Sequence, residues 1–506
     1  SGSVAQDKPV QVKSDGTLQA IANTAAGVGT ASEIATGNTG GDTWDLTCRT
    51  VPLGGGKFAT VYINDNHYPV ALITEVNKDT FAVTKGSEVA LETSGDHCNF
   101  PSVAYDHTNS RIVYSYCYNN TLWAKVATFS GTTLTFGSRI EVAGNALHAD
   151  SCFEAGSGCI VWAFEWSNVV KAVSATTTSS RGLTVSGTVA SVTDSNIANG
   201  QQPTIVPIHM QGCYERVGIA FRYSSDVWYK PMVISSNVVS SQGDNAVEVF
   251  TATGDTDIGL GFARTQWQPG NNGTGTFALL SVADDSGRAW CRTGVVDGNG
   301  NISNMYGSVA PLNADSNIGN SHLPKHIPYD RNLGKFIITS KYSPASGSDY
   351  FAYQSVTPNL AVSWTPVCDT AVQLHSSTDA QESCVATTQI MGTDNSGNAI
   401  DPVSIDDRMY AVFRDNADSD KVKHLGFLTL DQSNITTKVV GFADAAYTDG
   451  QTATIKVNSN TTTQSSLTPG TEYYVQGDGS MGTSAHSQAT VKAGIALTST
   501  KLLIRQ

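Results

Sequence analysis

The chain has 506 residues, of which 15% are charged and 40% hydrophobic, with 47 glycines. So few Glu, Lys and Arg argue against a helical protein, and the apolar share can bury a core, which excludes disorder. With 30 basic against 44 acidic side chains the net charge is −14; with no basic run to track a phosphate backbone and no apolar run of about 18 residues, neither nucleic acid binding nor membrane insertion is expected.

In chain order, the first residues, SGSVAQDKPVQVKSDG (1–16), lack the apolar stretch of a secretory signal, so none is expected if the native chain starts here. KPVQVKSDGTLQAI (8–21) reads as a strand, an Asp15-Gly16 turn and a second strand, because Asp-Gly supplies the backbone freedom a tight hairpin needs. Residues 1–22 are read as the N-terminal part of a split β-domain. The Gly-, Ala- and Thr-rich stretch 23–41 is expected to be a linker.

Residues 42–432 carry a repeat. Long β-type runs start at 57 (KFATVYI), 111 (RIVYSYCY), 159 (CIVWAFEW), 216 (RVGIAFRY), 276 (TFALLSVA), 335 (KFIITSKY) and 408 (RMYAVFRD), at intervals of 48 to 73 residues. Each unit has an apolar run, a turn, the long run, a polar turn and a third run such as TLWAKVATF (121–129) or DVWYKPMVI (226–234). A fourth, weaker run such as SRIEVAG (138–144) precedes the next unit. Two units match closely: AYDHTNSRIVYSY (104–116) and PYDRNLGKFIITS (328–340) share Tyr-Asp, a four-residue turn, a basic residue and an apolar run. A lone four-stranded sheet cannot bury both faces, whereas radial packing of seven does, so the repeat predicts a seven-bladed β-propeller. The cysteine count is odd, nine, with no C-x-x-C; buried reduced thiols are expected, and Cys152–Cys159 is the pair that a hairpin could bridge.

In such a fold the connections from each outer strand to the next inner strand gather near the central channel. Here they carry Asp45, Asp96, His97, His148, Asp150, Gln201, Gln202, Asp255, Asp257, His322 and Glu382. Pointed at one funnel, these polar side chains either solvate its mouth or hold a glycan or cation. DGNGN (297–301) and TDNSGN (393–398) resemble pieces of calcium loops, but a full loop needs more carboxylates and a terminal Glu. No cofactor is therefore expected, calcium being the one weak suggestion. ADDSGRAW (283–290) approaches the S-x-D-x-G-x-x-W box of sialidase propellers, with Ala283 in place of Ser. No G-x-S-x-G, H-E-x-x-H or phosphate loop occurs, so no catalytic residues are nominated and no enzyme is expected. A sialidase-like or other glycan hydrolase is the enzymatic alternative.

The C-terminal part, 433–506, completes the split domain. VGFADAAYTDGQTATIKV (440–457) matches AGIALTSTKLLIRQ (493–506), and TEYYVQGDGSMGTS (471–484) matches the N-terminal hairpin. The fold expected is thus all-β: a propeller inserted into a small β-domain built by both chain ends, which closed propellers favour because their termini meet. Residues 440–506, with KPVQVKSDGTLQ, resemble a small β module of bacteriophage virion fibre proteins. That resemblance implies a virion structural protein of a tail or head fibre, assembled in the host cytoplasm and displayed on the virion surface. It also implies contacts with other virion proteins, recognition of a host surface glycan or other receptor through the propeller, and a homo-oligomer, with a trimer favoured. A capsid or tail decoration protein with no receptor is the non-binding alternative. Leu502, Leu503 and Ile504 in succession make both faces of the last strand apolar, so 439–506 is expected to carry the oligomer or virion contact.

Overall fold

The apolar runs form strands throughout the computed structural model. It describes residues 3–505 apart from 13–15, 22, 25, 36–47, 65, 94–97, 194–199, 209–214, 225, 242–244, 252–256, 265–275, 284–288, 298, 312–323, 331–332, 334, 343, 345–346, 358–365, 388–391, 394–398, 401–407, 430–431, 434–437, 449 and 486–489. Among the described residues the one helical element is a 3-10 turn, Asn416–Asp418, and the strand ladders are antiparallel. Residues 28–427 form one compact unit; residues 1–27 and 428–506 form another.

Among its described residues, the larger unit holds seven sheets of four or five strands in succession. Each opens with a first strand: Cys48–Gly54, Asn99–Asp106, Leu147–Glu154, Gly200–Pro207, Asp257–Arg264, Tyr329–Asp330 and Ala380–Thr387. The long apolar runs are the second strands. Those of the first three sheets are buried along nearly their whole length, as a strand covered on both faces must be. The sheets share cores in order. Ala59, Val61 and Ile73 of the first sheet meet Ile112, Tyr114 and Tyr116 of the second, and Ala124 and Val126 of the second meet Trp162 and Phe164 of the third. The first sheet also shares a core with the seventh, where Phe58, Tyr62 and Leu72 lie with Cys384, Tyr410 and Val412.

The expected fourth run is broken in two. In the second sheet Thr133–Phe136 and Ile140–Gly144 both pair with the outer edge of Thr121–Ser130, end to end. The third, fourth and sixth sheets repeat this. Short pieces blunt an edge that would otherwise recruit foreign strands. The Tyr-Asp match holds in register, with Asp106 opposite Arg111 and Asp330 opposite Lys335. Both carboxylates are buried and cap their turns, accepting from Asn109 N (3.0 Å) and Leu333 N (3.1 Å).

Two expectations need correction. The stretch 23–41 is not mere linker: Asn23–Thr24 pairs with Gln432–Ser433, and Ser32–Ala35 joins the seventh sheet along Lys421–Leu428. Cys152 and Cys159 are free and buried, and the register sets Cys152 opposite Val161 and Cys159 opposite Glu154, so they are not cross-strand neighbours.

The smaller unit is one pattern built twice. Its four-stranded sheet runs Leu18–Ala20, Pro9–Val12, Val439–Ala443, Ile455–Lys456, and its five-stranded sheet runs Met481–Gly482, Glu472–Val475, Lys492–Ala496, Lys501–Ile504, Thr461–Thr463. Equivalent residues pair alike: Val12 with Leu18 as Val475 with Met481, and Val10 with Gly441 as Tyr473 with Gly494. Both copies bulge at the next step, where Gln11 pairs with Val439 and Tyr474 with Lys492. The bulge demands φ +152° at Gly441 and +153° at Gly494, and a Cβ at Gly494 would stand 1.9 Å from the Leu503 carbonyl. Asp7 ties the copies together, taking hydrogen bonds from Lys456 (2.6 Å) and Thr462 (2.9 Å). Burial raises its carboxyl pKa, but these two partners outweigh burial and hold it below its ordinary value. Leu502 and Ile504 are buried in the core of this unit while Leu503, on the other face, is half-buried.

Gly494→Ala should destabilise the smaller unit by about 3 kcal/mol, because that φ is open to glycine alone and the methyl strikes backbone. Gly470→Ala, at φ +81° with no atom within 4 Å, should cost only about 1 kcal/mol. Hydrogen exchange of Lys492–Ala496 in the two variants measures the difference.

Candidate functional site

The first strand of a sheet meets its second in register, except near one end. The pairing slips between Asn99 and Ser102, Leu147 and Asp150, Gln201 and Thr204, and Gln381 and Cys384. The slip places one residue in the left-handed region at the same point of three successive sheets: Phe100 (φ +53°), His148 (φ +48°) and Gln202 (φ +48°). Glu382 falls at the corresponding point of the seventh sheet. A non-glycine residue there costs about 1–3 kcal/mol and is found where surrounding structure enforces it. His148, Gln202 and Glu382 are therefore one repeated position, and Phe100 belongs with them. Its signal lay in the alignment of the units, since Phe100-Pro101 matches Gln202-Pro203.

The bulged ends of neighbouring first strands form a wall on which two of the side chains meet. The His148 ring lies 4.3 Å from the Phe100 ring, and its Nδ1 is 2.8 Å from Glu165 Oε2. Phe100 is buried; His148 and Gln202 are half-buried.

Two residues further along each strand the character changes. Arg49, Ser102, Asp150 and Thr204 occupy one register position, opposite Val61, Ser115, Ala163 and Ala220. They converge on Asp150, which is fully buried. Its Oδ1 faces Arg49 Nε at 3.5 Å and accepts from Ser102 Oγ at 3.3 Å. Its Oδ2 accepts from Thr204 Oγ1 (3.2 Å) and the Ile205 amide (3.1 Å) and lies 2.9 Å from His326 Nε2. Buried Lys325 sits close by and donates to the Pro203 carbonyl (3.3 Å). Burial alone would raise the Asp150 pKa; the charge and hydrogen bond of His326 and the charges of Arg49 and Lys325 reverse that and hold it far below the usual carboxylate range. Asp150, expected at the channel mouth, is thus the buried centre of a cross-sheet cluster.

Of the other expected residues, Asp45, Asp96, His97, Asp255 and His322 lie outside the described residues, and for Asp257 and Glu382 only the strand positions are described. The Asp-box-like stretch 283–290 falls largely outside them as well. In 297–301 the Asp297 carboxylate accepts from Asn299 N (2.8 Å) and Asn301 N (2.9 Å) of its own turn. Among the described residues no group of three His, Cys, Asp or Glu side chains is placed to hold a metal ion. A second polar cluster joins the first two sheets: Arg139 lies 4.2 Å over the Trp123 ring and pairs with Glu92, which Tyr116 Oη also reaches at 3.5 Å. There the guanidinium already covers the indole face, which leaves the Phe100–His148–Gln202 wall as the better place for a ligand.

No protein-family model matches the chain, and no curated protein does. Among solved structures, a Lactobacillus plantarum protein is similar at 10% identity and TM-score 0.44, over 65% of this chain and 85% of that one. The SapL1 lectin in complex with alpha methyl fucoside has 12% identity and TM-score 0.37, over 65% and 96%. The intramolecular trans-sialidase from Ruminococcus gnavus has 10% identity and TM-score 0.39, over 79% and 98%.

Asp150→Asn should cost about 3–5 kcal/mol at neutral pH, because it leaves the buried Arg49 without the carboxylate that faces it. The folded carboxyl titrates below its ordinary 3.8, so its stabilisation is complete above 3.8 and is lost progressively as pH falls below 3.8 toward the folded value. Urea unfolding from pH 7 to pH 2 should therefore show wild type and Asp150→Asn converging in acid. A constant gap would contradict the assignment.

Proposed function

We propose that the chain is a phage virion structural protein, of a tail or head fibre, that recognises a host surface polysaccharide. In this reading the seven sheets are the blades of a closed propeller, and the bulged ends of their first strands form the binding face. Closure is supported by the core shared between the first and seventh sheets, by the packing of Ala380–Thr387 beside Cys48–Gly54, and by the return of Ser32–Ala35 to the seventh sheet. The observation that carries the binding reading is the strained position repeated at Phe100, His148 and Gln202. An aromatic ring against an imidazole, with an amide at the same position of the next sheet, offers the apolar contact and directional hydrogen bonds that sugars need, without a net-charge requirement. The fibre assignment rests on the resemblance of the end module, which its duplicated, gly-bulged build accompanies. By the same reading 439–506 joins the protein to other virion proteins and to its own copies, most simply as a trimer, with Leu503 on the free face.

Two measurements test this. Host polysaccharide titrated into the full chain should bind, and His148→Ala combined with Gln202→Ala should weaken binding at least about tenfold, which is 1.4 kcal/mol, at unchanged stability. Release of reducing sugar would replace the binding role with hydrolysis; no binding to polysaccharide or host cells would leave a decoration role. Light scattering should give a trimer for the full chain and monomer after removal of 439–506. A full chain that stays monomeric at high concentration removes the oligomer reading.

A further inference from the structure

The eight described cysteines are thiols rather than disulfide sulfurs, and seven of them are buried. Three are inert by environment. Burial, the largest effect, pushes the Cys98 thiol up to about 12 and raises those of Cys152 and Cys159. Low thiolate content makes such groups poor nucleophiles and poor targets of oxidation.

Cys291 and Cys368 differ. Cys291 lies in the third strand of the fifth sheet, Ala289–Val296, and is fully buried. Cys368 lies in the outer strand of the sixth sheet, Val367–Cys368, and is half-buried. Their Sγ atoms are 3.5 Å apart although the residues are 77 positions apart in sequence. The two strands belong to different sheets, so a bond here would join neighbours in space that no backbone ladder joins. We propose that Cys291 and Cys368 are a disulfide site that staples the fifth sheet to the sixth when the protein meets an oxidising environment.

The chemistry is thiol–disulfide exchange with a low-molecular-weight disulfide such as oxidised glutathione. The less buried partner is Cys368. The hydrogen bond from Cys291, the largest effect on both groups, lowers the Cys368 thiol and raises that of Cys291. Cys368 thiolate attacks one sulfur of the small disulfide, forming a mixed disulfide and expelling one small thiolate. Cys291 then gives up its proton and attacks Cys368 Sγ, forming the protein disulfide and expelling the second small thiolate. Two electrons leave the cysteine pair and reduce one small disulfide to two thiols. The sulfurs need only close from contact to the ~2.05 Å of a bond, and the loop closed is long, where a cross-link constrains the unfolded chain most.

The full chain is incubated with oxidised glutathione, alkylated and digested without reduction. The expected product is a linked peptide pair containing Cys291 and Cys368, with the remaining cysteines alkylated. Cys368→Ser and, separately, Cys291→Ser should each abolish it. Thermal melting should fall by about 3–5 °C when dithiothreitol is added to the oxidised wild type, and should not respond in Cys368→Ser, which keeps the buried thiol and the packing around it. Recovery of Cys291 and Cys368 as alkylated thiols after oxidation, or a linked pair that excludes either of them, overturns the proposal.

Discussion

A carboxylate taken out of water needs partners, and Asp150 takes them from strands far apart in sequence. Arg49 comes from the first sheet, Ser102 from the second, and Thr204 with the Ile205 amide from the fourth. His326 comes from the segment leading into the sixth, 176 positions away. Desolvating that charge alone costs several kcal/mol, and only the full set of partners offsets it. The cluster is therefore satisfied in one arrangement of the sheets, and any slip of a first strand leaves a buried charge exposed to nothing but apolar side chains. Hydrophobic contacts between sheets tolerate sliding; this ionic centre does not.

The bulged wall depends on that centre. Phe100, His148 and Gln202 hold a backbone conformation that an isolated strand would relax. Two residues on, Ser102, Asp150 and Thr204 are fixed by the buried cluster, so each strand is pinned just beyond its bulge. The strain is thereby converted into a defined placement of a ring, an imidazole and an amide. Preorganised side chains of this kind lose little freedom on meeting a ligand, which is the advantage the proposed binding role would draw on.

In the smaller unit the same order comes from repetition rather than charge. Gly441 and Gly494 bend equivalent strands at equivalent steps, and the residues that follow, Phe442-Ala443 and Ile495-Ala496, pair with the next strand, with Phe442 and Ala496 in one core. Duplication places two such sheets in one chain, and Asp7 of the first copy answers Lys456 of its own sheet and Thr462 of the other.

Local pattern carried much of this into the sequence. The apolar runs at 57, 111, 159 and their successors mark the second strands, the Tyr-Asp pairs mark turn caps at Asp106 and Asp330, and Asp478-Gly479 marks a hairpin in which Asp478 caps Ser480 N at 2.8 Å. These signals are legible because a strand's period and a turn's φ are properties of neighbouring residues. Asp150 was legible as polar and near a junction, but not as buried, and Phe100 was not singled out as a companion of His148 and Gln202. Both outcomes hang on where one strand's register slips and on which distant side chains then meet, as with the sulfurs of Cys291 and Cys368. No residue's neighbours in sequence encode such meetings; they exist only once the sheets have packed in order and the first strands have come together.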